Sequence, residues 1–514
     1  MSWDYVKSVG RIRHHLDYLD QVGPLSVSKL RREMDLENLS ETNCREIYGA
    51  HVYISVSNFS ALVSSSTYAS DDHKRLIRAV HLYQREVSRI VEDIFDGVRV
   101  HFQGAKLHAL FYRPIDNGTM IAVRAMLLPL VIKEFLRDVF NRMFPYDDFT
   151  IAAGIDIGTV IGTRNGARGD RELLFLGPAA NHAAKILSSH GSVRLTERLY
   201  EVLPKDAQAV CWQDTEGYYR VQATLKEVTT LLKDNSIDWS SPQSRSRVEA
   251  DLAALPLHAI TVSGARERID KDCLSVYDNK AVVGASVYAD VSGFTKYIDS
   301  MATNEGKITA LRVFHAIRHE MSQVAKCDFD GVRIQYQGDR VQVLFHLPEG
   351  KDEAIAETAV HAAASFQSSM ELSLKECLPD IVDRLHLAVG VDIGKTLVSK
   401  LGIRGQRDVI CIGTPVEEAA YCEEATAGKE IGVTEQVYQL LSEDLAKLFI
   451  YDFQKKCYVA MGLTAVQLGW MERAKDYQNE TPAYIRSGAS GVTITNVRQG
   501  INERIVQPQR PWHP

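Results

Sequence analysis

Apolar positions along this chain alternate between two periods. In Leu76, Ile77, Val80, Val87, Ile90, Val91 and Ile94, and again in Ile308, Leu311, Phe314, Ile317, Met321 and Val324, they recur three or four residues apart, which predicts amphipathic helices. Val9, Ile12, Leu16 and Leu19 predict one more before Gly23-Pro24. The stretches 95–111 and 329–345 alternate instead with the two-residue period of a strand, and each is interrupted at a glycine, as in a β-hairpin. The resulting order is strand, helices, hairpin, helix, strand pair, helix, strand. It predicts an α+β sandwich in which helices cover one face of a mostly antiparallel sheet.

That order occurs twice. His51-Val-Tyr-Ile-Ser-Val-Ser-Asn-Phe-Ser60 aligns with Ser286-Val-Tyr-Ala-Asp-Val-Ser-Gly-Phe-Thr295, and Phe95 to Phe111 aligns with Phe329 to Phe345. Ala153 to Gly158 matches Val389 to Gly394, and Arg171 to Gly177 matches Arg407 to Gly413, with offsets held between 234 and 236 residues. A spacing this steady marks a duplicated domain. The expected division is a helical segment over 1–44, a first copy over 45–235, a linker over 236–280, a second copy over 281–470 and a polar tail over 471–514.

Composition narrows the class. With 514 residues, 45% hydrophobic and 24% charged, each copy has enough apolar material for a core of its own. A net charge of -7 gives no support to general nucleic-acid binding. The eight cysteines form no CxxC pair, which predicts reduced thiols and neither a disulfide framework nor structural zinc. The first residues carry charge before any apolar run, and the most apolar run, Ala125 to Ile132, is far too short to span a bilayer. A cytoplasmic protein without membrane attachment is expected.

The candidate chemistry centres on Tyr288-Ala-Asp-Val-Ser-Gly-Phe-Thr295, a strand that delivers the Asp290 carboxylate to a tight turn whose backbone N–H groups suit phosphate. Taken singly, the residues have ordinary explanations. Asp290 suits a helix N-cap, Asp339 a hairpin turn, Asn181 and Lys185 a solvated helix face, and Arg404 the surface. Their agreement in register carries more weight, because both halves resemble class III nucleotidyl cyclase domains, the adenylate and guanylate cyclase family, over roughly 45–235 and 281–470.

The resemblance implies two ferredoxin-like domains paired head to tail as a pseudo-heterodimer, with pairing within one chain and across two chains, as a homodimer, both open. It implies that Asp290 and Asp339, with a backbone carbonyl near Val291, hold two Mg2+ or Mn2+ ions. Asn181 and Lys185, the latter where most of the family has arginine, would serve the transition state from the first copy. Phe294, Thr295 and Arg404 would meet the nucleotide. The first copy has Ser55 and Ala105 at the metal positions, and the second has Glu417 and Tyr421 in place of Asn181 and Lys185. Each copy lacks what the other keeps, so one complete cleft and one depleted cleft are expected.

The implied reaction closes a nucleoside triphosphate to its 3′,5′-cyclic monophosphate, releasing pyrophosphate. The family's two base-reading positions fall on His101 and Leu174, neither of which suits a purine's polar edge. This combination resembles the bacterial Pycsar cyclases, which implies cyclic pyrimidine signalling to a cyclic-nucleotide-binding effector in anti-phage defence. CTP is favoured slightly over UTP, with ATP as the alternative. A catalytically inactive nucleotide-binding regulator is the reading from another class.

Overall fold

The computed structural model describes residues 2–469 apart from 33–35, 37, 66–69, 145–147, 166–171, 188–190, 302 and 382–383. The tail expected over 471–514 lies outside the described residues. The first copy contains β1 (Ser26–Lys29), β2 (Asn43–Val56), β3 (Val98–Gln103), β4 (Lys106–Phe111), β5 (Ile151–Asn165), β6 (Glu172–Leu176), β7 (Val193–Leu195), β8 (Cys211–Gln213) and β9 (Tyr219–Val221). The second repeats them as β10 (Thr261–Ser263), β11 (Asp278–Ser292), β12 (Val332–Gln337), β13 (Arg340–Phe345), β14 (His386–Ile403), β15 (Gln406–Ile412), β16 (Glu430–Val433), β17 (Ile450–Asp452) and β18 (Cys457–Met461). The sheet orders are β3-β4-β2-β5-β7-β9-β8 and β12-β13-β11-β14-β16-β18-β17, with β1 and β6 pairing β2 and β5, and β10 and β15 pairing β11 and β14. The topology of one is the topology of the other.

Strand alternation sorts the side chains. On β2, Ala50, Val52, Ile54 and Val56 enter a core under the helices, and on β11 Ala285, Val287, Ala289 and Val291 do the same. The alternate residues, His51, Tyr53 and Ser55 on one strand and Ser286, Tyr288 and Asp290 on the other, are left for the opposite face. The helices used below are α1 (Tyr5–Val22), α2 (Ser70–Arg89), α3 (Gly118–Phe135), α4 (Pro178–Lys185), α5 (Ser241–Ala254), α6 (Phe294–Asp299), α7 (Asn304–Gln323), α8 (Asp352–Ser368) and α9 (Thr414–Ala425). α3 contains the apolar run 125–132 and is buried nearly all round, so it is a core helix. Among the described residues no helix is long and apolar enough to cross a membrane. All eight cysteines are free.

The segments flanking the repeats belong to the repeat as well. α1 starts on a capping Asp4, whose carboxylate accepts from the Lys7 amide at 2.8 Å, and its apolar stripe Ile12, Leu16 and Leu19 is buried. It packs on α7 of the second domain, where Arg11 reaches Glu320 at 2.7 Å and Asp328 at 2.8 Å. α5 lies inside the expected linker and packs on α2 of the first domain, where Arg247 meets Glu86 at 2.5 Å. The helix leading into each domain is therefore laid against the other. Both acids are fully buried, and a buried carboxylate needs such a partner.

Two further clamps cross the boundary between the sheets. Arg99 on β3 bonds Asp408 on β15, and Arg333 on β12 bonds Glu172 on β6 at 2.8 Å. These are the same residues of the repeat with the copies exchanged, so the domains pair within one chain about a pseudo-twofold axis.

Candidate active site

β11 carries Asp290 to its end, and Gly293 then turns the chain into α6 with φ 91°. A side chain there would come within 2.5 Å of the Arg384 carbonyl, so glycine is required. Asp339 occupies the turn between β12 and β13, after Gly338 at φ 70°. Because Ala289 pairs with Val341, that turn lies beside Asp290. Burial raises both carboxyl pKa values, Asp339 well above its usual range, and the Asp290 charge pushes Asp339 further the same way. The Val291 amide donates to Asp290.

Two half-buried carboxylates that repel one another suit a hard divalent cation, whose charge would offset both desolvation and repulsion. Among the described residues no group of three or more His, Cys, Asp or Glu side chains gathers as a metal site, so the carboxylate pair is the acidic donor set available. Arg340 stands beside the pair. Its guanidinium donates to Glu423 at 2.9 Å and lies over the Tyr288 ring at 4.7 Å. Sequence reasoning passed over it, although its place directly after Asp339 was a usable signal.

The first domain brings α4 to the same place. α4 packs on β5, where a side chain at Gly154 would come within 2.2 Å of the Ala183 carbonyl. Across the domain boundary the Asn181 amide donates to the Thr295 hydroxyl at 2.7 Å. Lys185 is exposed, and its charge opposes the rise at Asp290. Asp290, Asp339, Asn181, Lys185 and Thr295 are thus brought together, drawn from both halves.

His101 is half-buried on β3, 2.9 Å from the Gln103 side-chain nitrogen and with its ring 5.4 Å from that of His108. Burial, with Arg99 and Arg318 adding to it, brings its pKa down to about 3, so the imidazole is neutral. Tyr53 stacks on His108 at 4.2 Å, and its hydroxyl pKa is raised by burial and by Asp339. This places Tyr53 of the first domain beside the carboxylates of the second, a neighbour the sequence reading did not name. Leu174 is only 2% exposed and packs with Ile161 and Leu176 into the core shared with the second domain. The Phe294 side chain is buried against Phe314, with ring centres 5.1 Å apart. Arg404 is exposed at the turn between β14 and β15.

At the related cleft, Ser55 and Ala105 supply no carboxylate, and Ala105 is buried. Burial raises the Glu417 pKa while a Ser60 hydrogen bond opposes it, and Tyr421 is exposed.

Residues 278–471 match the family model described as the adenylate and guanylate cyclase catalytic domain. A crystal structure of a class III adenylyl cyclase-like ATP-binding protein from Pseudomonas aeruginosa superposes with TM-score 0.78 at 25% identity, covering 91% of this chain and 98% of that one. The second domain thus matches the adenylate and guanylate cyclase family, and the chain as a whole shares its fold with a class III cyclase-like protein. The chain is 27% identical over 466 residues to a uridylate cyclase of Pseudomonas aeruginosa, covering 87% of this chain and 88% of the relative. It is 25% identical to a uridylate cyclase of a Rhizobium strain, covering 86% and 85%. The likeness to these uridylate cyclases runs through both domains.

Proposed function

We propose that the chain cyclises UTP to its 3′,5′-cyclic monophosphate with release of pyrophosphate, at the cleft formed by Asp290 and Asp339 of the second domain and α4 of the first. The observation that carries this reading is the meeting of Asn181 with Thr295 across the domain boundary, which brings the two complementary half-sets to one place. Asp290 and Asp339 would hold Mg2+ or Mn2+, which when bound supply charge to the triphosphate and acidity to the 3′-hydroxyl. Asn181 fixes the ribose so that the 3′-oxygen stands in line with the α-phosphorus. Lys185 meets the charge that grows on the α-phosphate, as a point charge without the fork of an arginine.

A neutral His101 offers one N–H and one acceptor at the base, and Leu174 offers none, which suits a small pyrimidine better than a purine. The expectation from sequence leaned to CTP. The uridylate cyclases aligned along both domains shift the preference to UTP. On the resemblance to Pycsar cyclases, the product serves as a messenger to a cyclic-nucleotide-binding effector in anti-phage defence. Purified protein incubated with each ribonucleoside triphosphate and manganese, with products identified by mass spectrometry, tests this. Cyclic UMP as the main product is expected, and ATP or GTP turned over ten times faster than UTP sinks the pyrimidine assignment.

A further inference from the structure

The two clamps that cross the domain boundary follow one plan, an arginine and a backbone amide on a carboxylate, and differ in what else reaches the acid. On one side, Asp408 accepts from the Arg99 guanidinium and from the Phe102 amide at 2.9 Å. On the other, Glu172 accepts from Arg333 at 2.8 Å and from the Tyr336 amide at 3.1 Å. Glu172 then takes a third bond, 3.1 Å long, from Nη2 of Arg318 on α7. The first copy has Gln84 in that position, and Gln84 turns to its own hairpin, donating to the Gly104 carbonyl at 2.7 Å.

Arg318 is an expensive residue to keep. It is 1% exposed, its guanidinium lies 3.6 Å from the centre of the Tyr336 ring and 5.0 Å from that of Phe314, and burial draws its pKa down to about 10. Nε and Nη1 have no hydrogen-bond partner among the described residues. A buried cation with idle donors stabilises a fold less than an apolar side chain of similar volume would. Its location supplies the missing reason. Glu172 stands two residues before Leu174 on β6, and Tyr336 stands three before Asp339. The Arg318 charge acts on His101 and is itself acted on by Asp339.

We propose that Arg318 is a positioning residue of the complete cleft: by holding Glu172 it sets β6, which carries Leu174 and packs on β3 with His101, at a fixed separation from the hairpin that carries Asp339. The depleted cleft, with Gln84, has no such strut. This inference rests on the cyclase reading of the complete cleft.

Arg318→Gln installs in the second copy what the first already has. Kinetics of this variant with UTP, CTP and ATP should show KM for UTP raised about tenfold with kcat within about threefold, and the UTP-to-ATP ratio of kcat/KM lowered about tenfold. Arg318→Lys, which keeps a cation on Glu172, should recover most of that ratio. Arg247→Gln, which loosens α5 from Glu86, serves as a stability control and should lower Tm without moving the ratio. An unchanged ratio in folded Arg318→Gln, or an equal change in Arg247→Gln, overturns the proposal. If Arg318→Gln does not fold, Glu172→Gln is read by the same ratio under the same criteria. A wild-type chain that cyclises none of the nucleotides overturns the cyclase reading, and this inference with it; an active wild type with an unmoved ratio overturns this inference alone.

Discussion

The two clefts of this molecule share a fold, a register and a boundary, yet one gathers two carboxylates, an amide and a lysine while the other offers a serine, an alanine, a glutamate and a tyrosine. In a homodimer every substitution appears in both clefts at once, so neither can be lost without the other. Joining the copies in one chain removes that constraint. On the proposed reading, each domain is then free to keep only the half-set that its partner lacks.

The sharpest way to break the comparison is at the carboxylates. Asp290→Ala or Asp339→Ala should abolish turnover, measured as pyrophosphate release. Because the halves pair within one chain, mixing Asp290→Ala protein with Lys185→Ala protein should restore nothing. Recovery of activity on mixing would mean that clefts form between chains.

The exchanged helices come next. Arg11→Ala leaves Glu320 buried with only serine hydroxyls for partners, and should cost about 3–5 kcal/mol, read as a lower midpoint in urea. The loss should be larger than for Arg247→Ala, since Glu86 keeps Arg89 at 3.4 Å while Glu320 keeps no cation, and Arg11 also holds Asp328. Asn181→Ala and Lys185→Ala should each lower kcat about a hundredfold, roughly 2.7 kcal/mol in barrier. If both residues can be removed without effect while Glu417 matters, the halves have been assigned to the wrong clefts.

A matched pair of acids sharpens the comparison through pH. Asp156 of the first domain is held by Arg198 at 2.8 Å and by Thr196. Asp392 of the second has Thr434 but Gln436 where the arginine would stand, and burial pushes its pKa up to about 6. A folded-state pKa above the unfolded one means that the folded protein binds this proton more tightly. The site therefore costs stability above pH ~6 and regains it as pH falls toward the unfolded carboxylate value, by about 2–3 kcal/mol in all. Asp392→Asn should raise Tm at pH ~8 and flatten its dependence on pH between ~4 and ~7. An unchanged slope in the variant would put the dependence elsewhere. The smallest effect is expected at the depleted cleft, where Glu417→Ala and Tyr421→Ala should leave kcat/KM and the manganese requirement within about threefold. Loss of manganese binding in either would reverse the assignment.

Much of this was legible in the sequence, for definite reasons. Strand and helix periods revealed the sheet-and-helix units, and the steady offset revealed the duplication, because both are local patterns. The gathering of Asp290, Asp339, Asn181 and Lys185 followed from motif register. What escaped depends on contacts between distant residues. The stripe of α1 announced a buried face without saying which domain would cover it, and α5 read as linker because its burial rests on Ser244, Val248 and an ion pair rather than on an apolar stripe. The phenylalanine that opens α6, expected to meet the nucleotide, turns its side chain into the core against Phe314, which leaves its backbone at the turn. Arg318 gave no signal, as an arginine within an amphipathic helix ordinarily faces water.

The exchange of leading helices also dictates an order of events during synthesis. Ser8 on α1 bonds Glu320, which lies 312 residues later in the chain. At about 5–20 residues per second, the first helix waits roughly 15–60 s for its seat on α7 to be made. The first domain meanwhile stands complete except for α5, its own cover. The second domain is thus closed by a helix made well before it, which couples its folding to its pairing with the first domain.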